Sequence, residues 1–376
     1  MKPQSAIDRG ARVAQRREPI LGGTGELRLP VSARVNSVYP CHPSGILGRV
    51  VLTVVIALCA GCPQYRDPTV PNPIRNVEEP TSGRHYLIYE PSRYDAAKAH
   101  PLVVVCHGTR PFDYPLRQIR DWVKLAEEKG FLVVAPFLEG TTASLFRPVR
   151  EQIRLQRDDE KHILNVVRHV SGGHNVSQDR IFLTGWSAGN YAVLHTGLRH
   201  PELFRALAVL QGNFDPTYVA DVVDSIDPYQ PVFVLYGADD VLTGKQGRQC
   251  VEWLGSHRVS VVESQIVGTH RGHPKEACEF FQHVVRTVPW LHIRVFQDGS
   301  DRLSVRFKIR ASFEPTAYAW SFGDGETSPV AEPDHTYTRP GTCRVTLDAR
   351  MPTGKTVRRT VDVVVPQARR STSEGS

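Results

Sequence analysis

Several large classes of protein announce themselves by patterns that this 376-residue chain lacks. It has no HExxH, no phosphate-cradling glycine loop, and no CxxC apart from Cys59/Cys62, so no metal or other cofactor is implied. No internal repeat is visible. The apolar run Val50–Ala60, about 11 residues, is too short to cross a ~30 Å hydrocarbon core. A basic stripe is missing too. Of the net charge of +7, the first 61 residues hold +5, and the remainder is close to balanced, which argues against a nucleic-acid partner. What is present is 40% apolar residues, enough to bury a core, and 29 Gly with 28 Pro, enough for many turns. The length calls for two domains at roughly 100–200 residues each.

The apolar run suits the central region of a signal peptide, with Arg49 before it and Ala60-Gly61-Cys62 after it. It resembles a bacterial lipoprotein signal, which implies cleavage before Cys62 and acylation of that residue. Cys59 departs from the pattern, since an aliphatic residue is usual there. A plain secretory signal or an uncleaved anchor are the alternatives. The expected location is the cell envelope, lipid-anchored to a membrane through Cys62, or secreted. With Met only at positions 1 and 351, translation starting at Val35 or Val38 would shorten the long segment ahead of the apolar run.

Residues 1–61 thus read as leader and signal, and 62–82, which carry five Pro, as an extended linker. Over 83–290, short apolar runs alternate with helical stretches, the mark of βα units on a mostly parallel sheet. Candidate strands include PLVVVCH, FLVVAPF, RIFLTG, ALAVLQG, PVFVLYG and VVESQIVG; helices are expected near 115–129, 151–170, 188–200 and 275–287. From 291 to 366, short strands between turn residues indicate a small all-β sandwich, and 367–376 is a polar tail. Export would permit disulfides, and Cys250 and Cys278, in neighbouring helical segments, are either a pair or two buried thiols.

The sharpest motif is Gly185-Trp186-Ser187-Ala188-Gly189, preceded by the apolar strand Arg180–Thr184 and followed by a helix. A strand–turn–helix of this kind strains the serine backbone and lifts its hydroxyl above the sheet. A hydroxyl is a poor nucleophile at neutral pH and needs a base, which in turn needs an orienting acid. Each should follow a later strand. The acid candidates are Asp239 and Asp240 after Pro231–Tyr236, with Asp240 better spaced; the bases are His270 and His273 after Val261–Val267. The oxyanion needs two backbone N–H donors, for which Ala188 and Thr109, in the His107-Gly108-Thr109 loop, are the candidates. His107 itself reads as a residue that positions the loop.

These pieces (VVVCHG, NVSQDRIFLTGWSAGNYAV, HPELFRALAVLQG, VFVLYGADDVL and VGTHRGHP) resemble the α/β-hydrolase esterases of the polyhydroxybutyrate depolymerase and feruloyl-esterase-like branch. The resemblance implies ester hydrolysis through an acyl-enzyme, with Ser187, Asp240 and His270 in the family roles. It also places Asp158-Asp159 at the start of the helix before the elbow strand. The histidine context usual in the family is absent, so His273 stays a rival. The C-terminal stretch is similar to a PKD domain, an immunoglobulin-like sandwich, on Trp320-Ser-Phe322-Gly323-Asp324-Gly325, His335-Thr-Tyr337 and Gly341-Thr-Cys343-Arg-Val345. Asp324 and His335 read as turn and packing residues, and Cys343 stands where an aromatic is usual. Such a domain implies a polysaccharide or protein contact, or a spacer. The expectation is an exported serine esterase acting on an ester substrate, polymeric or at the cell surface; a peptidase of the same fold and a catalytically inactive binding protein are the rivals.

Overall fold

In a computed structural model of the chain, the described residues are 64–65, 70–141, 147–297 and 303–366. The leader, the apolar run, Cys62 with its expected lipid, and the tail 367–376 lie outside them.

The first domain is built on a nine-stranded sheet. Strands β1 (Gln64–Tyr65), β2 (Ile74–Glu78) and β3 (His85–Tyr89) pair antiparallel at one edge. Strands β4 (His100–Cys106), β5 (Leu132–Pro136), β6 (Val176–Trp186), β7 (Ala206–Leu210), β8 (Pro231–Gly237) and β9 (Ser260–Ile266) are parallel to one another. The spatial order is β1-β2-β3-β5-β4-β6-β7-β8-β9, with β3 antiparallel to β5. Two of these strands fall inside 62–82, which corrects the linker reading there. Ile74 is fully buried, and the prolines at 71, 73 and 80 flank β2 without interrupting its pairing to β3.

Helices cover both faces, so the central strands read as unbroken apolar runs. Alternation along β4 sends Leu102, Val104 and Cys106 to one side and Val103 and Val105 to the other. The first side packs on α2 (Val149–Gly173), α3 (Gly189–Arg199) and α4 (Gly244–Ser256) through Ile163, Val193 and Leu254. The second packs on α1 (Pro115–Lys129) and α5 (Pro274–Thr287) through Trp122 and Phe281. Cys250 belongs to the first cluster and Cys278 to the second, so the sheet separates them and both are free thiols. No disulfide joins them. Burial raises both thiols, Cys278 to about 11.

The second domain comprises β10 (Leu291–Gln297), β11 (Ser304–Ala311), β12 (Ala317–Ser321), β13 (Thr327–Ser328), β14 (Asp334–Thr336), β15 (Gly341–Arg350) and β16 (Thr356–Val365). They form two antiparallel sheets, β10-β11-β14 and β13-β12-β15-β16. Phe307, Trp320, Phe322, Tyr337 and Leu347 fill the space between them. Trp320 also donates its indole N–H to the Val330 carbonyl at 2.9 Å.

Candidate active site

Sheet register assembles the site before any side chain is considered. Cys106 of β4 lies level with Gly185 of β6, so the loops carrying Gly108 and Ser187 leave the sheet side by side. Gly237 of β8 lies level with Ile266 of β9, which brings the Asp240 and His270 loops together in the same way. Both pairs of loops are at the carboxyl ends of the strands, where open α/β sheets place their sites.

Ser187 has φ 55°, a left-handed conformation that a non-glycine residue adopts only when its surroundings impose it. Its N–H donates to the Leu210 carbonyl at 3.3 Å, and its own carbonyl accepts from Asn190 N–H and Asn213 N–H, each at 3.1 Å. Close packing requires the flanking glycine: a Cβ on Gly189 would stand 2.3 Å from the Cys106 carbonyl oxygen. Helix α3 can therefore start directly behind the serine.

Asp240 is buried and Asp239 exposed, which separates the two acid candidates. His270 Nδ1 is 2.8 Å from Asp240 Oδ2. The other carboxylate oxygen accepts from Leu242 N–H at 2.9 Å and Thr243 N–H at 3.2 Å. Burial by itself would raise this carboxyl, but the bonds from the Thr243 hydroxyl, His270 and those two amides outweigh it and hold it below its usual value. His273, by contrast, caps α5 from the position before Pro274, and its Nδ1 lies 3.2 Å from Glu276 Oε1. It has no contact with Asp240 among the described residues.

His270 reaches the serine turn through Trp186, on which its ring packs at 4.6 Å between centroids. The described hydrogen bond of the Ser187 hydroxyl runs not to His270 but to Asn213 Oδ1, at 3.5 Å. Asn213 is in turn held by Gln246. The candidate acid and base are thus joined, and Ser187, the candidate nucleophile, stands beside them with its hydroxyl turned toward a neighbouring amide.

Gly108 lies against the nucleophile; a Cβ there would be 3.1 Å from Ser187 Cβ. Its N–H is taken by Asp113 Oδ2 at 2.6 Å, so the next amide along the loop is that of Thr109. Ala188, the other oxyanion candidate, is buried ahead of α3. His107 is wholly buried, accepts from Leu138 N–H through Nε2 at 3.0 Å and bonds the Gly108 carbonyl through Nδ1 at 2.9 Å. Burial lowers it to about 4, so it is a neutral strut for the loop.

Asn213, Asp113 and Gln211 were not among the residues singled out from the sequence. Gln211 accepts the Arg271 N–H at 2.6 Å and so pins the loop that carries His270. Its signal was a polar residue ending the buried strand ALAVLQG. Asp113 had none: it bonds within its own segment, to Gly108 five residues before it and Gln118 five after. Asp158 and Asp159 do not open a helix: both lie in the interior of α2, where Asp159 accepts from the Glu139 and Gly140 amides and pairs with Arg84 at 2.7 Å. The helix begins ten residues earlier, at Val149, behind Pro148.

Residues 118–246 match the prolyl oligopeptidase family and residues 292–365 the PKD domain. The first match includes Ser187 and Asp240 and ends before His270. Comparison with curated proteins finds no match. Among solved structures, the chain is similar to a ferulic acid esterase from the anaerobic fungus Anaeromyces mucronatus, at 14% identity over 58% of this chain and 86% of that one, with a TM-score of 0.42. It is also similar to dipeptidyl peptidase 4 of Porphyromonas gingivalis, at 17% identity over 56% of this chain, with a TM-score of 0.40. It spans 35% of the length of that peptidase. A PKD domain of Vibrio anguillarum Epp is 34% identical over 21% of this chain and 95% of its own, with a TM-score of 0.18.

Strand order, the serine turn after β6 and the family match define the first domain as an α/β-hydrolase, the fold of serine hydrolases. The second matches the PKD domain family.

Proposed function

We propose that the chain is a serine esterase in which Ser187 attacks a carboxylic ester, His270 accepts its proton and Asp240 orients the ring. The observation that carries this is the 2.8 Å contact between His270 Nδ1 and a buried Asp240, beside a serine held at φ 55°. Asp240 fixes the proton on Nδ1 and leaves Nε2 as the base. The hydroxyl turns from Asn213 to that nitrogen, attacks the carbonyl, and the amides of Ala188 and Thr109 receive the oxyanion. The imidazolium then protonates the leaving alcohol, and water releases the acyl group by the reverse sequence.

Five large apolar side chains stand exposed on the loops that carry these groups: Phe112, Tyr114, Val241, Leu242 and Val267. They support an ester with a sizeable apolar part, such as a polyester or an acylated polymer. Lipid attachment at Cys62 and a place in the cell envelope complete the reading, on the strength of the leader sequence.

Short-chain 4-nitrophenyl esters test it. Turnover by the native chain and loss in Ser187→Ala is the expected result; no turnover, or equal turnover by both proteins, removes the reading. The prolyl oligopeptidase match over 118–246 favours one alternative, peptide-bond hydrolysis by the same residues. Dipeptidyl 4-nitroanilides cleaved faster than any ester would decide for it.

A further inference from the structure

At the end of the sheet away from Ser187, the face covered by α1 and α5 encloses a cavity of about 220 Å³. Val103, Phe131, Phe182, Cys278 and Phe281 form its floor, all buried and all members of one apolar cluster. Phe182 precedes Ser187 by five residues of β6 and its turn, so roughly 16 Å of chain at ~3.3 Å per residue separates the two. The cavity is therefore apart from Ser187 and its partners.

Its solvent side is cationic. Lys129 and Arg286, in the last turns of α1 and α5, line it and are exposed, and Arg180 lines it half-buried. Arg180 is held in place, donating from Nε to Ser177 Oγ at 2.8 Å and from Nη2 to the Ala99 carbonyl at 3.1 Å. Among the described residues no carboxylate lines the cavity. Glu128 and Glu279, whose charge reaches the Cys278 thiol, stand outside the lining, as does Asp179, 3.8 Å from Arg180. Asp179 is shared with Arg205 at 3.4 Å, and Glu279 pairs with Lys275 at 3.8 Å. Burial raises the Cys278 thiol to about 11, so it adds no charge of its own near neutrality.

An apolar floor under a rim of one sign sets two requirements for an occupant. The floor gives a fully hydrated anion nothing in exchange for its water, so an apolar body is needed. The rim repels an amine and attracts an acid. Size sets a third requirement. An apolar cavity of roughly 150 Å³ takes benzene, so this one takes a chain of roughly six to eight carbons. A carboxylate at the mouth would accept charge-assisted bonds from the fixed Arg180 guanidinium, while the chain displaces water from Phe131, Phe182 and Phe281.

We infer that this cavity binds an alkyl carboxylate of about six to eight carbons, at a site separate from Ser187. Calorimetric titration of the full chain with octanoate, and with octylamine and octanol as the cationic and uncharged counterparts, tests this. Octanoate is expected to bind with a Kd of about 1 mM or lower, and about tenfold or more tightly than either counterpart. Arg180→Gln should weaken octanoate about tenfold. Val285→Trp, at a lining residue that is 36% exposed and so leaves room for the fold to accept a larger ring, should fill the cavity and weaken it at least as much. Ester turnover should be unchanged in both variants. No octanoate binding, octylamine or octanol bound as tightly, or undiminished octanoate affinity in either variant overturns the inference. Octanoate held at the Ser187 site instead would keep its affinity in both. A chain with no esterase activity would leave this titration unaffected, so the two readings fail separately.

Discussion

Each domain contains a histidine–aspartate pair closer than 3 Å with a buried member, and the two differ in what stands beside them. In the hydrolase, His270 and Asp240 are 2.8 Å apart; in the sandwich, His335 Nε2 and Asp324 Oδ2 are 2.7 Å apart. Both aspartates are held below the usual carboxylate range despite opposing burial, Asp240 chiefly by Thr243 and Asp324 by His335. The His335 ring, however, is stacked on Phe322 at 4.0 Å and lies edge-on to Tyr337 at 4.6 Å. Gly323 and Gly325, at φ 86° and 103°, turn the chain around Asp324. That pair closes a turn over a packed core. The His270 ring rests on Trp186, next to a serine with a strained backbone. What separates the two pairs is the neighbour, a strained serine in one and packed aromatic rings in the other.

Removing the Ser187 hydroxyl, the proposed nucleophile, should separate the two most widely. Ser187→Ala is expected to lower ester turnover by about 10⁴-fold or more, read as kcat on a 4-nitrophenyl ester. His270→Ala should cost a similar factor, whereas His273→Ala should stay within about threefold, because that ring is bonded to Glu276 and not to Asp240. Equal losses in the two histidine variants would void the assignment. Asp240→Asn, which disturbs the proton on Nδ1, should lower kcat by about 10³-fold. Asp324→Asn should leave kcat where it was.

The sandwich pair should answer in stability instead. His335→Ala removes a nearly buried ring from between Phe322, Tyr337 and Asp324 and should destabilise the PKD domain by about 1–3 kcal/mol. A thermal melt of the full chain followed by domain-specific proteolysis reads this, and an unchanged melt contradicts it.

A smaller effect is expected from a third histidine cluster, at the end of α3. His200 Nε2 is 2.7 Å from Glu160 Oε1, and Nδ1 is 3.1 Å from Glu202 Oε1. Burial opposes the charged ring, but the two carboxylates outweigh it and raise His200 to about 9. Because the folded value exceeds the unfolded one of about 6.5, the stabilisation is complete below that pH and is lost as the pH rises through 9. After a discount for partial exposure it should amount to about 1 kcal/mol. Urea melts between pH 6 and 10 should show this decline, and His200→Gln should flatten it.

How much of this was legible in the sequence depended on how local the determinants are. The central strands are visible because a parallel sheet buried on both faces needs continuous β-branched runs, such as Val103–Val105 and Val133–Val134. The serine turn is visible because five consecutive residues specify it. Asp240 stood out from Asp239 by its distance from β8, and burial explains why that distance matters. Strand β2 was hidden by its prolines, which stand just outside the residues it pairs to β1 and β3. Helix α4 was expected only as a helical segment around Cys250, its bounds blurred by Gly244, Gly247 and Gly255, which lower helix propensity. Gly247 is there because a Cβ would stand 2.5 Å from Tyr236 Cβ. Asn213 could not be found from spacing, because its partner Ser187 is brought to it only by the register of β6 and β7; Asp113 bonds Gly108 within its own loop, five residues away, and no motif marks it.

The most direct measurement is covalent labelling of the full chain with an alkyl fluorophosphonate, followed by peptide mapping. One adduct on Ser187, absent in Ser187→Ala and strongly slowed in His270→Ala but not in His335→Ala, is the expected result. An unlabelled protein, an adduct on another serine, or equal labelling of the His270→Ala protein would contradict the assignment of Ser187 and His270 as nucleophile and base.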